Sequence, residues 1–337
     1  MTLPESAAVA TNDTPRPSRK AAIGTQTWLA NWALFIVLLL EIALFWVLVP
    51  DQFGTVANLQ TTLLSKSVLA IIALAVLVPL IAGEFDVSLA MVFTVTMLVA
   101  GILLTSFQLP IWIAFCLAIG FATICGLITG LLVIFTRAES LIVSLGMMIL
   151  LRGLSEALTQ GSTIVVGGET GETLRYLTAQ FAGGTVLIVL MVAVAALVWY
   201  VTEMTPLGRK WHAVGGSREA ARLLGLRTDV LRIGSFAAGG FLAGIAAVAQ
   251  LSASTTATAS FGSGFLFPAI ASAFLGAVAF RIGDFNVRGT VVAIFALSVG
   301  ITGIRMLGAP NWIDGVFYGF ALIAAVAVVQ AVWRKKQ

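Results

Sequence analysis

Charged side chains are scarce in this sequence. Asp, Glu, Lys and Arg together make up 10% of its 337 residues, whereas hydrophobic residues make up 59%. A soluble domain usually carries about 25% charged residues, so this chain lacks the polar surface that a protein surrounded by water needs. The composition therefore excludes an ordinary soluble protein and indicates a membrane protein.

The residue types that carry most enzymatic and metal chemistry are also rare. The chain has one histidine, His212, and two cysteines, Cys116 and Cys125, whose separation matches no metal-ligand spacing. No Gly-x4-Gly-Lys-Ser/Thr sequence occurs, so there is no P-loop for a nucleotide. We therefore expect no catalytic residues, no metal, no cofactor and no nucleic acid as a partner.

Long apolar runs dominate the rest of the chain. A run of about 18 or more apolar residues predicts a spanning helix, because a helix satisfies its own backbone hydrogen bonds in hydrocarbon. Barrel strands would instead alternate apolar and polar residues. We predict an all-α, polytopic transmembrane helical bundle of about ten spans, at residues 28–49, 60–82, 88–107, 110–135, 140–159, 183–202, 229–250, 264–281, 289–308 and 312–333.

Two of these segments are open to question as full spans. The segment 140–159 is interrupted by Arg152 and Glu156, and the segment 264–281 contains Pro268. The two charged residues are one helical turn apart, which predicts an ion pair between them.

The distribution of basic residues predicts that both termini are cytoplasmic, because cytoplasmic loops carry an excess of Lys and Arg. We expect cytoplasmic tails over 1–27 and 334–337, and a transmembrane domain over 28–333. A longer outer loop falls at 160–182 and a polar inner loop at 203–228. This topology places fifteen of the 19 basic residues inside: Arg16, Arg19, Lys20, Arg137, Arg209, Lys210, Arg218, Arg222, Arg227, Arg232, Arg281, Arg288, Arg334, Lys335 and Lys336.

The inner loop contains the signals of a short helix. Ser217 can cap its N-terminus, Glu219 suits the positive first turn, and Gly225 fits the C-terminal stop. An amphipathic helix over 218–224 could lie on lipid or dock into a groove of a soluble partner. Its two alanines are small for lipid docking and favour a protein partner.

Two short sequences resemble each other. Residues 83–88 read GEFDVS and residues 283–288 read GDFNVR, and each follows an apolar segment. Three identities and two conservative changes hint at an internal repeat. Chance similarity is the alternative.

The inner loop also carries a family resemblance. Residues 213–225, AVGGSREAARLLG, resemble the cytoplasmic signature of the permease subunits of monosaccharide ABC importers, the ribose/xylose/galactose class. Residues 83–90, GEFDVSLA, are similar to that family's Gly-Gly-Ile-Asp-Leu-Ser-Val-Gly stretch. Residues 288–291, RGTV, match the start of its penultimate helix. Glu84 and Ala90 depart from the family, because each replaces a glycine.

The resemblance implies a pore without its own motor, in the inner (cytoplasmic) membrane of a bacterium. Such permeases pair with a second copy or a paralogue, bind an ABC ATPase subunit, and receive a sugar or polyol from a periplasmic sugar-binding protein. Two alternatives are a permease of the related branched-chain amino-acid importers and an ion-coupled secondary transporter. The latter would bind protons at Glu41, Glu84, Asp86 or Glu156.

Carried onto this sequence, the resemblance implies three groups of site residues. ATPase coupling falls to Gly215, Gly216, Ser217, Glu219, Ala220, Arg222 and Gly225. An inner gate at a helix break falls to Gly83, Glu84, Asp86 and Ser88, where capping of the next helix is the alternative role for Asp86 and Ser88. Contact with the binding protein is expected at Glu169, Glu172 and Arg175, although a solvated outer loop would present the same residues.

Overall fold

The computed structural model describes residues 20–178, 180–181, 184–281 and 283–336. The predicted tail over 1–27 lies outside these residues up to position 19, as does Gln337. The helices are α1 (Lys20–Leu48), α2 (Pro50–Phe53), α3 (Val56–Ile81), α4 (Leu89–Thr105), α5 (Ile111–Thr136), α6 (Ser140–Thr159), α7 (Gly168–Thr178), α8 (Val186–Trp199), α9 (Pro206–Gly216), α10 (Arg218–Leu223), α11 (Thr228–Ser254), α12 (Ser263–Gly276), α13 (Val287–Met306) and α14 (Ile313–Lys336). A π-helical turn spans Tyr200–Met204, and the strands are β1 (Ile164–Val165), β2 (Gln180–Phe181), β3 (Gly184–Thr185) and β4 (Thr256–Ala257).

The prediction of an all-α polytopic bundle is confirmed. Within the described ranges, seven helical stretches are long and apolar enough to cross a membrane: Thr62–Ile81, Ile111–Thr136, Ser140–Thr159, Val186–Met204, Thr228–Ser254, Val287–Met306 and Ile313–Gln330. Three shorter apolar helices, Trp32–Leu48, Leu89–Thr105 and Ser263–Gly276, fall in the other three predicted segments. The questioned segment 140–159 is thus a full-length helix.

The predicted segment 264–281 is helical only as far as Gly276. The reason is a side chain from residues 283–288, which form the turn between α12 and α13. The Asn286 amide donates hydrogen bonds to the carbonyl oxygens of Gly276 and Ala279, at 3.2 and 3.1 Å. The two carbonyls also accept backbone hydrogen bonds from Ala279 and Arg281, so the Asn286 amide adds a second bond to each and holds the chain in this turn.

Helices α3, α4 and α11 form the buried centre of the bundle, and close contacts between small residues hold α5 against them. A Cβ atom added to Gly240 of α11 would lie 2.4 Å from the carbonyl oxygen of Ala122 on α5. Small residues permit such backbone approach, which replaces the hydrophobic driving force that is missing between helices in lipid. The remaining helices surround this centre and expose large apolar side chains, as surfaces in hydrocarbon do.

The two ends of the bundle differ. We call the end that carries α9 and α10 the inner end, and the opposite end, with α7, the outer end. At the outer end β1 pairs antiparallel with β4, so that Ile164 lies opposite Ala257. The ring of Trp32 in α1 lies 5.4 Å from that of Phe280 at the inner end, and Gln330 of α14 lines a cavity that Gly215 and Gly216 of α9 also line. The first and last spans therefore begin and finish at the same end.

A candidate coupling site at the inner end

The predicted inner loop is largely helical, since it forms the π-helical turn, α9 and α10. The hydroxyl of Ser217 accepts a hydrogen bond from the backbone N–H of Ala220 at 3.3 Å, which caps α10. Glu219 lies in the first turn of this helix. Gly225 has a φ of +80°, a conformation that ends helices and favours glycine. The short helix predicted from these residues is confirmed.

Helix α10 has one face against the bundle and one face free of it. Ala221 is buried, whereas Leu223 and Leu224 are 86% and 78% exposed. Arg222 is also exposed. Two adjacent exposed leucines at the end of a short helix suit docking into an apolar groove of a partner protein.

Helix α9 is held tightly against α11 and against the end of α3. The indole N–H of Trp211 donates a hydrogen bond to the carbonyl oxygen of Leu231 at 2.9 Å. A Cβ atom on Gly215 would lie 2.2 Å from the carbonyl oxygen of Ile81. Gly83, with a φ of +76°, lies against the Cα atom of Gly215. This backbone crossing requires glycine at both positions.

Glu84, which departs from the family pattern, is the electrostatic centre of the site. Its side chain is fully buried, and its Oε1 accepts a hydrogen bond from Arg218 Nη2 at 2.7 Å and another from Arg232 Nε. Arg218 also donates to the carbonyl oxygen of Gly83 at 3.1 Å. A buried carboxylate is tolerated when cations pair with it. Glu84 thus joins the helix break to α10 and α11.

Asp86 and Ser88 act locally. Asp86 Oδ1 accepts hydrogen bonds from the N–H and hydroxyl of Ser88 at 2.9 and 2.6 Å, and both residues are buried. Burial raises the pKa of the Asp86 carboxyl to about 6, while the bonds from Ser88 lower it. The geometry is that of a turn that starts α4, which is the alternative role expected for these two residues.

The same break is bonded to α6 on its other side. The N–H of Phe85 donates to the hydroxyl of Ser140 at 2.9 Å. The hydroxyl of Ser144 accepts from the N–H of Val87 at 3.3 Å and donates to the carbonyl oxygen of Phe85 at 3.2 Å. Residues 83–88 therefore connect the α9–α10 region to α6.

A cavity of about 860 Å³ opens at this point and brings the two similar sequences together. Its lining includes residues 83–85, residues 283–285 and the Gly215–Gly216 pair of α9. The ring of Phe274 lies 6.0 Å from that of Phe85 and 5.2 Å from that of Phe285. The resemblance between 83–88 and 283–288 thus corresponds to two corners of the chain on one cavity.

The three candidates for binding-protein contact lie far from this cluster, on α7 at the outer end. Glu169, Glu172 and Arg175 are exposed, while Leu174 on the same helix is fully buried. Helix α7 packs on α11 and α8. It therefore presents a charged face outwards, and the role of that face stays a prediction.

Sequence reasoning missed three parts of the site: the guanidinium partners Arg218 and Arg232, and Ser140. A signal for the arginines was present, because an additional carboxylate at a glycine position needs a nearby cation when it is buried.

The predicted pair of Arg152 and Glu156 is confirmed at 3.3 Å. Among the described residues, no group of three or more His, Cys, Asp or Glu could hold a metal ion.

Comparisons with known proteins agree with the fold and the inner-end motif. The ribose import permease protein RbsC of Escherichia coli (strain K12) is 28% identical over 306 residues, which is 90% of this chain and 95% of that protein. The autoinducer 2 import system permease protein LsrC of Photorhabdus luminescens is 27% identical over 82% of this chain and 83% of its own length. The D-allose transport system permease protein AlsC of Escherichia coli (strain K12) is 25% identical over 88% and 91%, respectively.

A protein-family model described as branched-chain amino acid transport system, permease component, matches residues 58–326. That range contains the break at 83–88, the helices α9 and α10, and the second corner at 283–288. The resemblance to monosaccharide ABC importer permeases is confirmed by this match together with the relatives. The chain therefore belongs to this family of multi-pass membrane permease components, which are transport subunits by kind.

Proposed function

We propose that this chain is the membrane-spanning subunit of an ABC importer that carries a sugar or polyol across a bacterial cytoplasmic membrane. A separate ATPase subunit supplies the energy, and a periplasmic binding protein delivers the cargo. The relatives named for ribose and D-allose import support the sugar class. The single observation that carries the mechanism is the contact between α9–α10 and residues 83–88.

The ATPase docks on α10 at the inner end. Leu223 and Leu224 supply the exposed apolar face that docking of a helix into a groove uses. Closure of the ATPase around its nucleotide displaces α10 as a rigid body, because rotation and translation of packed elements are the usual response to such closure.

The displacement reaches the gate along two connections. One is ionic, from Arg218 on α10 to Glu84. The other is steric, from Gly215 on α9 to Ile81 at the end of α3. Because Ser140 and Ser144 hold residues 83–88 to α6, the movement of the break shifts α6 as well. Packed interfaces of this kind switch between two arrangements rather than deform continuously.

The outer end receives the binding protein, and a second copy or a paralogue completes the pore. The exposed carboxylates of Glu169 and Glu172 on α7 suit the polar rim of a transient interface. Their position opposite α10 separates delivery from energy supply by the thickness of the bundle.

Transport by the reconstituted complex tests the proposal. Liposomes containing this chain and its ATPase, with the binding protein outside and ATP enclosed, should accumulate radiolabelled D-ribose or D-allose. A catalytically dead ATPase should abolish uptake, and a proton uncoupler should not affect it. Uptake that survives loss of ATP hydrolysis but collapses with the uncoupler would identify an ion-coupled transporter. Uptake of leucine instead of sugars would identify a branched-chain amino-acid permease.

Docking on α10 is tested separately. The double variant Leu223→Ser/Leu224→Ser should lose copurification of the ATPase while the amount of inserted chain is unchanged. Leu307→Ser is the matched control, because Leu307 is also exposed but lies at the outer end. Normal copurification in the double variant would remove α10 from the docking surface.

A further inference from the structure

A second, smaller pocket lies at the outer end of α6 and has no place in the coupling mechanism. Its volume is about 350 Å³, and it lies between the end of α6, residues 161–163 and residues 258–263. Met91 of α4 forms an apolar part of its lining. We call it the outer pocket.

Hydrogen bonds between the surrounding elements hold the walls of the outer pocket in place. The hydroxyl of Ser155 donates to the carbonyl oxygen of Ala259 at 3.3 Å, which joins α6 to the 258–263 segment. The N–H of Gly262 donates to the hydroxyl of Thr94 at 2.9 Å, which joins that segment to α4. Pairing of β1 with β4 closes the same region. The pocket is therefore preformed, as small-molecule sites usually are.

The lining chemistry is unusual for an apolar bundle. Hydroxyl side chains alternate with the Arg152–Glu156 ion pair, whose formal charges cancel. Within the part of the chain that the structure describes, the hydroxyls of Thr163, Thr258 and Ser260 make no hydrogen bond to protein. A guanidinium donates, a carboxylate accepts, and a hydroxyl does both. Such a set complements a neutral molecule with several hydroxyl groups.

The exposure of the ion pair indicates that the pocket opens to water. Helix α6 is long and apolar enough to span the membrane, yet the side chains of Arg152 and Glu156 are 72% and 62% exposed. Charged groups facing lipid are costly, so they normally face a bundle interior or a water-filled cavity. An aqueous space beside this face of α6 would avoid that cost and would give solutes access to the pocket.

We propose that the outer pocket is a weak binding subsite for a neutral polyhydroxyl molecule on its way into the pore. The inference rests on the proposed function and adds to it the location and chemistry of cargo contact. Arg152 and Glu156 bind adjacent hydroxyl groups, while Thr163, Thr258 and Ser260 contact the remaining ones. Helix α6 links this pocket to residues 83–88, so the displacement that starts at α10 also changes the pocket and releases the cargo.

The test removes the three hydroxyls that make no hydrogen bond to protein. The triple variant Thr163→Val/Thr258→Val/Ser260→Ala should raise the KM for D-ribose or D-allose uptake about tenfold or more, since several hydrogen bonds are lost together. The inserted amount and ATPase copurification should stay unchanged. Ser106→Ala is the control, because Ser106 follows α4 at the same end of the bundle and is exposed but lies outside the pocket. The charge-swapped Arg152→Glu/Glu156→Arg should partly retain binding, because it preserves an ion pair.

A binding measurement distinguishes failure of the subsite proposal from failure of the proposed function. Saturation-transfer NMR with D-ribose and the purified chain in lipid nanodiscs should give a signal that the triple variant loses. If the wild-type complex takes up sugar, and the triple variant shows the same uptake kinetics and the same NMR signal, the subsite would be overturned. The proposed function would then remain intact. Absence of ATP-driven sugar uptake by the wild type complex would overturn the proposed function, and the subsite with it.

Discussion

The two corners at 83–88 and 283–288 have the same backbone plan but different surroundings. Each begins with a glycine of positive φ, +76° at Gly83 and +89° at Gly283. In each, the fourth residue holds the start of the following helix. Asp86 accepts from the N–H of Ser88, and Asn286 accepts from the N–H of Gly289 at 2.7 Å. The shared plan explains why the sequences resemble each other.

The two corners differ in the hydrogen bonds and ion pairs that they make with other helices. Asn286 uses its amide within the α12–α13 corner, and the Gly276 and Gly289 backbones close that corner by direct contact. Its links to other elements include two at its edges: Arg281 pairs with Glu203 at 3.1 Å, and the Arg288 guanidinium lies 5.5 Å from the ring centroid of Trp199 in α8. Residues 83–88 instead bond to α6, α9, α10 and α11 through their own side chains and backbone. The second corner is closed mainly by contacts between α12 and α13, whereas the first is a junction of α6, α9, α10 and α11, as the proposed coupling requires.

The largest expected effect comes from breaking the second corner. A Cβ atom on Gly276 would lie 2.3 Å from the backbone nitrogen of Thr290. Gly276→Ala should therefore lower the free energy of unfolding by about 3 kcal/mol, at the upper end for overpacking. Thermal unfolding in detergent measures this effect. Gly146→Ala is the matched control, because Gly146 is also helical and has open space where a Cβ atom would lie. Equal stability of the two variants would contradict the structural role.

Substitutions at the contact between α9 and the first corner should reduce transport rather than the free energy of unfolding. Gly215→Ala places a Cβ atom against the carbonyl oxygen of Ile81, whereas the adjacent Gly216 has open space. Overpacking of about 1–3 kcal/mol at a switching contact corresponds to a roughly tenfold to hundredfold change in the switch equilibrium. We expect Gly215→Ala to lose at least about 90% of ATP-driven uptake, on this estimate, with normal membrane insertion. Gly216→Ala should transport normally, and a matching loss there would show that the crossing is not the cause.

The second residue of each corner gives a smaller and more specific contrast. Glu84 is buried between two arginines, whereas Asp284 is exposed. Glu84→Gln weakens charge-assisted bonds at a cost of about 1 kcal/mol, which corresponds to a roughly fivefold loss of coupling between ATP hydrolysis and uptake. Asp284→Asn should leave that coupling unchanged. If Arg218→Gln adds no further loss to Glu84→Gln, the two residues act through one another; additive losses would show separate roles.

The sequence predicted the number and order of apolar segments well, because hydrocarbon demands long apolar runs wherever a helix crosses. It also predicted α10, because Ser217 and Gly225 are local signals that act through nearby backbone. It did not predict the pairing of Glu84 with Arg218 and Arg232, which are more than 130 positions away in the chain. Such pairing depends on tertiary packing, as does the closure that ends α12 at Gly276. The capping contact between Asp86 and Ser88 was one of the two roles expected from the sequence, but the burial of both residues does not follow from spacing alone.

The smallest expected effect on transport comes from making the two corners alike at their fourth residue. Asp86→Asn keeps the acceptor that holds Ser88, since Asn and Asp are equally good at such positions. Uptake should therefore stay near the wild-type level, and Asp51→Asn, at an exposed carboxyl, is the control.

The pH dependence of stability should nevertheless change in Asp86→Asn. Burial raises the pKa of the Asp86 carboxyl from 3.8 to about 6, so the folded state favours the protonated form. The stabilisation is full below the unfolded-state pKa and is lost as pH rises through the folded-state pKa. Between pH values of about 4 and 6 the wild type should lose stability relative to Asp86→Asn, as thermal unfolding across this range would measure. Parallel pH profiles would show that burial does not penalise the carboxylate. A variant that folds but no longer transports would make the Asp86 charge part of the gate, and the two corners would then differ at this position as well.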